Sequence, residues 1–305
     1  MGLMATRIEL RGGGGEPVDL ARTLLSHGVG ELAPNVVAPD GSSLETVLPA
    51  GGKAWLVRVV PDGPGTARLE LPDGAPELAP VIRHMLRLDE DLSSFYERAA
   101  EDPELAWVAS GAGRMLRSPT VFEDVVKTIC TTNCTWAATL RMVNALVGEL
   151  GLPADDGRRT FPTPIAMAEA PEAFYADVAK AGYRGAYLRS IAADVAGGKL
   201  DLELLNDPAL EDDEVVERLL ALPGVGPYAT AHIMMLLGRY QRLILDSWTR
   251  PTYRRLAGRP RVTDTGIQKA FRRYREYAGL AFWLTLTRDW VTQGDSVQTS
   301  AIEGS

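Results

Sequence analysis

The sequence predicts an α+β chain, mainly α, in which a small N-terminal antiparallel sheet domain over residues 1–80 precedes an all-helical body over 81–305. Three observations predict it. Strand-length apolar groups separated by turn residues occupy residues 5 to about 75. From Leu78 onward, apolar residues recur at helical spacing almost throughout. Late in the chain, two helical stretches meet at the tight sequence Leu222-Pro223-Gly224-Val225-Gly226.

Each element follows from local chemistry. The strand groups are Thr6, Ile8 and Leu10, then Trp55, Leu56, Val57, Val59 and Val60, then Ala67, Leu69 and Leu71. Gly12 to Gly15, Pro39-Asp40-Gly41, Gly51-Gly52 and Pro61-Asp62-Gly63 supply the turns, and Val18 to Leu25 reads as a helix between strands. In the body, Ser118-Pro119 with Glu123 reads as a helix start, continuing through Ile129, Trp136, Leu140, Val143 and Leu146. Further helices are expected near 164–168, 171–181, 186–196 and 214–220.

The hairpin at about 214–237 is the most informative stretch. Val215, Val216, Leu219 and Leu220 form the apolar stripe of one helix, and Ala229 to Leu237 reads as the next. Gly-Val-Gly makes the turn tight, because glycine accepts backbone angles that other residues resist. A helix starting straight after it turns unpaired N–H groups outward, at Ala229 and Thr230, which suits an anion such as a backbone phosphate. Downstream, Asp246 ends a strand-like apolar run, Leu243-Ile244-Leu245, within the segment 243–250.

Composition narrows the classes. The chain has 305 residues, 46% of them hydrophobic, enough for more than one buried core. No apolar run approaches the ~20 residues of a bilayer span, and Met1 to Leu10 lacks a secretory pattern. No membrane partner and a cytoplasmic, nucleoid-associated location are therefore expected. Cys130 and Cys134 are the only cysteines and read as two buried residues sharing a helix face. Two cysteines exclude a four-cysteine iron–sulfur cluster. His27, His84 and His232 are scattered without metal-ligand spacing, and His232 reads as a core histidine. The net charge of −8 sits awkwardly with nucleic acid, yet basic residues concentrate between Arg239 and Arg275, beside the hairpin.

These residues carry a resemblance. Leu222-Pro223-Gly224-Val225-Gly226 with Pro227 and Asp246 resembles the Gly/Pro-rich hairpin and essential aspartate of the helix-hairpin-helix (HhH-GPD) DNA glycosylases. Ser118 to Gly151 and Gly182-Tyr183-Arg184-Gly185-Ala186-Tyr187-Leu188 resemble segments of the 8-oxoguanine glycosylases. Leu88 to Tyr96 resembles a lead-in that those enzymes share with the bacterial alkylpurine (3-methyladenine) glycosylases, and the leading sheet matches an N-terminal domain of both groups. The resemblance implies a monomer acting on damaged double-stranded DNA, with Leu222, Gly224, Val225, Gly226, Ala229 and Thr230 gripping the backbone. It also implies that Asn133 fills the gap left by an extruded base. No cofactor is required, although the carbonyls of Leu220, Leu222 and Val225 would hold a monovalent Na+ or K+.

The chemistry follows from the residues. Breaking a glycosidic bond generates a sugar cation, and a carboxylate in a water-poor setting stabilises it strongly, which is the role expected of Asp246. Capping the helix that starts near Thr249 is its other reading. Enzymes of the family with an amine nucleophile place a lysine in the slot held here by Tyr228, and a phenol forms no Schiff base. Monofunctional hydrolysis is expected, with no lyase step. A flipped base needs flat walls, and Tyr228, Trp248, Trp136 and Phe282 are the candidates. Aligned with the 8-oxoguanine enzymes, Phe282 and Leu286 stand where a base-reading glutamine and a stacking phenylalanine would be, which favours alkylated purines. The alternatives are an 8-oxoguanine-type glycosylase and a non-catalytic hairpin that only grips DNA.

Overall fold

The computed structural model describes residues 3–291. Its leading part is a five-stranded antiparallel sheet of β1 (Leu3–Glu9), β2 (Val36–Val37), β3 (Leu44–Ala50), β4 (Lys53–Pro61) and β5 (Thr66–Pro72) in the order β1-β5-β4-β3-β2. Helix α1 (Leu20–Leu24) is shorter than the Val18–Leu25 expected. Gly51 and Gly52 close the β3–β4 hairpin at φ +58° and +75°, the two-residue turn that needs both residues left-handed. Strand β3 was not expected, because Glu45 and Pro49 break its apolar pattern. Pro49 is tolerated because β2 pairs only with Leu44 and Glu45, so its missing N–H falls on an open edge.

The body is helical: α2 (Ala79–Met85), α3 (Ser93–Ala100), α4 (Val121–Thr131), α5 (Trp136–Leu150), α6 (Pro164–Glu169), α7 (Arg184–Ala196), α8 (Asp212–Leu220), α9 (Pro227–Leu236), α10 (Thr249–Leu256), α11 (Asp264–Phe271) and α12 (Ala278–Thr287). Between α6 and α7, Phe174–Val178 forms a single π-helical turn rather than a longer helix. The cap of α4 is Thr120 and not Ser118: its Oγ1 accepts from the Glu123 N–H at 3.2 Å, while the Ser118 N–H donates to Asp124 at 3.0 Å.

Two apolar cores fill the body, and α9 belongs to both. Ala229, Ile233 and Met234 pack into the first with Val125, Ile129, Leu188 and Leu219. Ala231, Met235 and Leu236 pack into the second with Phe95, Ile244, Phe271 and Phe282. A helix apolar on every side is buried on every side. The N-terminus of α9 therefore opens at the seam between the two cores, where Tyr228 touches both.

Candidate active site

The seam opens into a cavity of about 980 Å³. Its lining comes from the turn after α4 and the start of α5, Tyr183 and Tyr187 at α7, the hairpin and start of α9, residues 244–248, Trp283 of α12 with Trp290, and His27 to Val29 from the sheet side.

Asp246 sits on an irregular loop, not on the strand its apolar neighbours suggested. Ile244 anchors that loop in the second core, 1% exposed. The Asp246 carboxylate accepts from the Trp248 and Thr249 N–H groups at 2.9 and 2.6 Å, and the Thr249 hydroxyl accepts from the Asp246 N–H at 2.8 Å. This reciprocal pairing fixes the side chain at the N-terminal end of α10, whose orphan N–H groups favour a negative charge. Both bonds go to Oδ1. Among the described residues no donor reaches Oδ2, and Asp246 is one of the residues that line the cavity.

Tyr228, Trp248 and Trp136 all line the cavity. Phe282 does not: it is fully buried, edge-on to Phe271 at 5.2 Å and to Tyr253 at 5.8 Å. One helical step carries the next side chain about 100° round, and Trp283 is the α12 residue on the cavity. Trp248, Trp283 and Trp290 pack ring against ring, with centroids 5.7 to 5.8 Å apart. Burial, with the nearby Asp246 charge adding to it, pushes the Tyr228 phenol up to about 12 despite a hydrogen bond with Thr131.

Only one of the two hairpin glycines needs the left-handed region. Gly224 has φ +84°, and a Cβ there would lie 2.7 Å from the Tyr187 ring. Gly226 has an ordinary extended φ of −103°, and a Cβ there would meet nothing within 4 Å. Its contribution is an open approach rather than a special angle. Leu222 and Val225 bury their side chains in the first core, and the Val225 N–H donates to the Leu222 carbonyl at 3.2 Å. Leu220, at the end of α8, is exposed. At the start of α9, Pro227 lacks an N–H, and the Thr230 N–H already donates to the Gly226 carbonyl at 2.9 Å with its side chain buried. Thr230 is therefore not available to an anion. Among the described residues, the N–H groups of Tyr228 and Ala229 at this helix start have no acceptor.

Asn133 stands at the cavity rim in a left-handed turn, φ +47°, and donates to the Tyr183 hydroxyl at 3.4 Å. Cys134 lies past the end of α4 and lines the cavity half-buried, so the two cysteines do not share a buried face. The basic run is partly spent on the protein: Arg239, Arg242, Arg250 and Arg273 pair with Asp212, Asp213, Asp264 and Asp102. Arg254 and Arg255 remain exposed on α10, the helix that Asp246 caps. Among the lining residues that sequence reasoning did not propose are Trp283, Trp290, His27 and His232. Only the contact between α9 and the sheet-side segment brings the two histidines together, which no local pattern reports.

Among the described residues no lysine lines the cavity. Lys127 is fully buried elsewhere, 2.7 Å from Glu123 and donating to the Leu32 carbonyl at 3.2 Å.

No protein-family model and no curated protein matches the chain. Solved structures do. The 3-methyladenine DNA glycosylase of Archaeoglobus fulgidus aligns over 92% of this chain and 98% of its own, at TM-score 0.72 and 20% identity. The 8-oxoguanine glycosylase/lyase of Clostridium acetobutylicum in its apo-form aligns over 92% and 95%, at TM-score 0.72 and 22% identity. The 3-methyladenine DNA glycosylase of Schizosaccharomyces pombe, solved in complex with abasic DNA, covers 68% of this chain and 100% of its own at TM-score 0.52 and 18% identity. The chain has the mainly helical α+β fold of the helix-hairpin-helix glycosylases.

Proposed function

We propose that this chain is a DNA glycosylase of base-excision repair. It turns a damaged base out of duplex DNA and hydrolyses the N-glycosidic bond, acts on alkylated purines of the 3-methyladenine kind, and leaves the strand intact. The observation that carries the reading is the Asp246 carboxylate, held through Oδ1 by two backbone N–H groups and lining an aromatic-walled cavity.

As the base leaves, positive charge develops on the sugar. A carboxylate already oriented by α10 stabilises that charge without reorganising. The same carboxylate would orient or deprotonate the attacking water. Tyr228 keeps its proton near neutral pH, since its phenol is pushed to about 12. The absence of an amine among the lining residues supports hydrolysis over Schiff-base chemistry. Tyr228, Trp248 and Trp283 present electron-rich faces, which favour a cationic purine whose glycosidic bond is already weakened. The backbone donors of Tyr228 and Ala229 and the open side of Gly226, where the hairpin meets the cavity, together with Arg254 and Arg255 on α10, would hold phosphates as a sequence-independent grip. Na+ or K+ on the carbonyls of Leu220, Leu222 and Val225 would brace the hairpin, the Leu222 carbonyl keeping one lone pair beyond its bond to Val225.

Duplexes carrying single 3-methyladenine, 7-methylguanine or 8-oxoguanine test the reading when released base is measured by chromatography. Release from the methylated purines and little from 8-oxoguanine is expected. Preferential release of 8-oxoguanine would replace the substrate, and tight binding without release would reduce the protein to a DNA-gripping module.

A further inference from the structure

The floor of the cavity holds two histidines to which the chemistry above gives no task. His27 is fully committed: its Nε2 donates to the Leu116 carbonyl at 2.6 Å, and its Nδ1 accepts from the Gly30 N–H at 3.2 Å. Those partners fix one neutral tautomer. Its ring stands edge-on to that of His232, with centroids 5.5 Å apart and planes at 78°. His232 is different. It is 6% exposed, lies 6.2 Å ring to ring from Tyr228, and its Nε2 is buried without a partner. Among the described residues, neither of its ring nitrogens bonds to the protein.

Native proteins rarely leave a buried polar nitrogen unpaired, and such exceptions call for an explanation. Packing gives no reason for an imidazole here, since a phenyl ring would fill the same space without the unpaired nitrogens. Desolvation, with His27 beside it, pulls His232 down to about 3. At physiological pH it is a neutral ring offering one donor and one acceptor.

We propose that His232 is a specificity-determining residue that reads the polar edge of the purine held in the cavity through a hydrogen bond. The inference rests on the glycosylase reading above and extends it to how the base is chosen. A neutral reader suits a cationic base, because it supplies polarity without the repulsion of a lysine or arginine. A site built to hydrogen-bond its ligand also rejects bases that leave its polar group unpaired. His27 acts as a positioning residue, holding the His232 ring edge-on.

The test compares the protein with His232→Phe, measuring single-turnover release of 3-methyladenine and 7-methylguanine, whose edges carry different donors and acceptors, together with thermal stability. The expected result is a change of about tenfold in the ratio of the two rates, the scale of one hydrogen bond, with a melting temperature unchanged or raised. His232→Gln, which keeps a donor and an acceptor, is expected to keep more of the ratio than His232→Phe. Should the phenyl ring prevent folding, His232→Met makes the same comparison. An active parent protein with an unchanged ratio in the apolar variant overturns the role of His232 alone, as does a large drop in stability with the ratio preserved. A parent protein that releases neither base overturns the methylated-purine reading on which the inference rests, and with it the role of His232.

Discussion

Lys127 on α4 and Asp246 before α10 are ionisable groups of one helical body, and they are used in opposite ways. Lys127 is spent on the fold: Glu123 lies 2.7 Å away, the Leu32 carbonyl accepts at 3.2 Å, and the Phe161 ring lies 5.6 Å below the ammonium. Asp246 commits one oxygen to the N-terminus of α10, holds no hydrogen bond on the other among the described residues, and lines the cavity. A charge whose partners are all internal contributes to stability and does no chemistry. A charge held rigidly but half-satisfied is prepared for a ligand. The distinction also separates the mechanisms open to the site, since the only lysine of α4 is locked away from the aromatic cavity.

The sharpest way to break this comparison is to remove each charge in turn. Lys127→Met is expected to cost about 3–5 kcal/mol of stability, because it strands the buried Glu123 carboxylate. Base release per folded molecule should be unaltered. Urea titration with parallel single-turnover assays checks both halves, and an active-site role for Lys127 would show as lost turnover in the folded variant. Asp246→Asn should do the reverse. The amide keeps the capping oxygen but loses the charge facing the sugar, so release falls by roughly two to three orders of magnitude while the melting temperature holds. A fully active Asn variant would remove Asp246 from the chemistry.

Protons extend the comparison to the cavity floor. Burial pulls His27 to about 4 and His232 to about 3, from an ordinary 6.5. Each binds a proton in the unfolded chain before it does in the folded one. Stability is therefore full above about 6.5 and is lost as pH falls towards 4, on the order of 3 kcal/mol for His27. Asp124, raised by burial from 3.8 to about 6, works the other way: it favours the folded state as pH falls through that narrower window. Urea midpoints at pH 7 and 4.5 should show a net loss on acidification, smaller in His27→Gln and larger in Asp124→Asn. A flat response in the parent and both variants would contradict these environments.

The hairpin glycines provide a smaller effect that separates strain from access. Gly224→Ala forces a side chain into φ +84° and onto Tyr187, and should cost about 1–3 kcal/mol of stability. Gly226→Ala meets no protein atom and should leave stability intact while weakening binding to all duplexes alike. Equal DNA affinity for Gly226→Ala and the parent across a salt series would turn the hairpin away from DNA.

What was legible in the sequence was local. Gly224, Tyr228 and Asp246 stand in a short, strongly patterned stretch, and turn chemistry and helix starts depend on neighbours a few residues away. The rest depended on packing. Phe282 and Trp283 are adjacent aromatics on a helix apolar all round, so only the position of α10 and α11 decides which one reaches the cavity. His27 and His232 meet through tertiary contact between the sheet-side segment and α9. Glu45 and Pro49 hid β3, whose burial is set by its partner strands. Thr230 looked available as a donor until the geometry of the α9 start paired its N–H with Gly226.

Asp246 is expected to work with water and without an amine, and borohydride trapping separates the two. A duplex carrying 3-methyladenine is incubated with the protein, and one half is reduced with borohydride while the other is resolved before and after hot alkali. Strands that break only after alkali and no covalent protein–DNA adduct are expected, because an imine requires an amine nucleophile. Efficient trapping, or strand cleavage at neutral pH without alkali, would contradict the water-using reading.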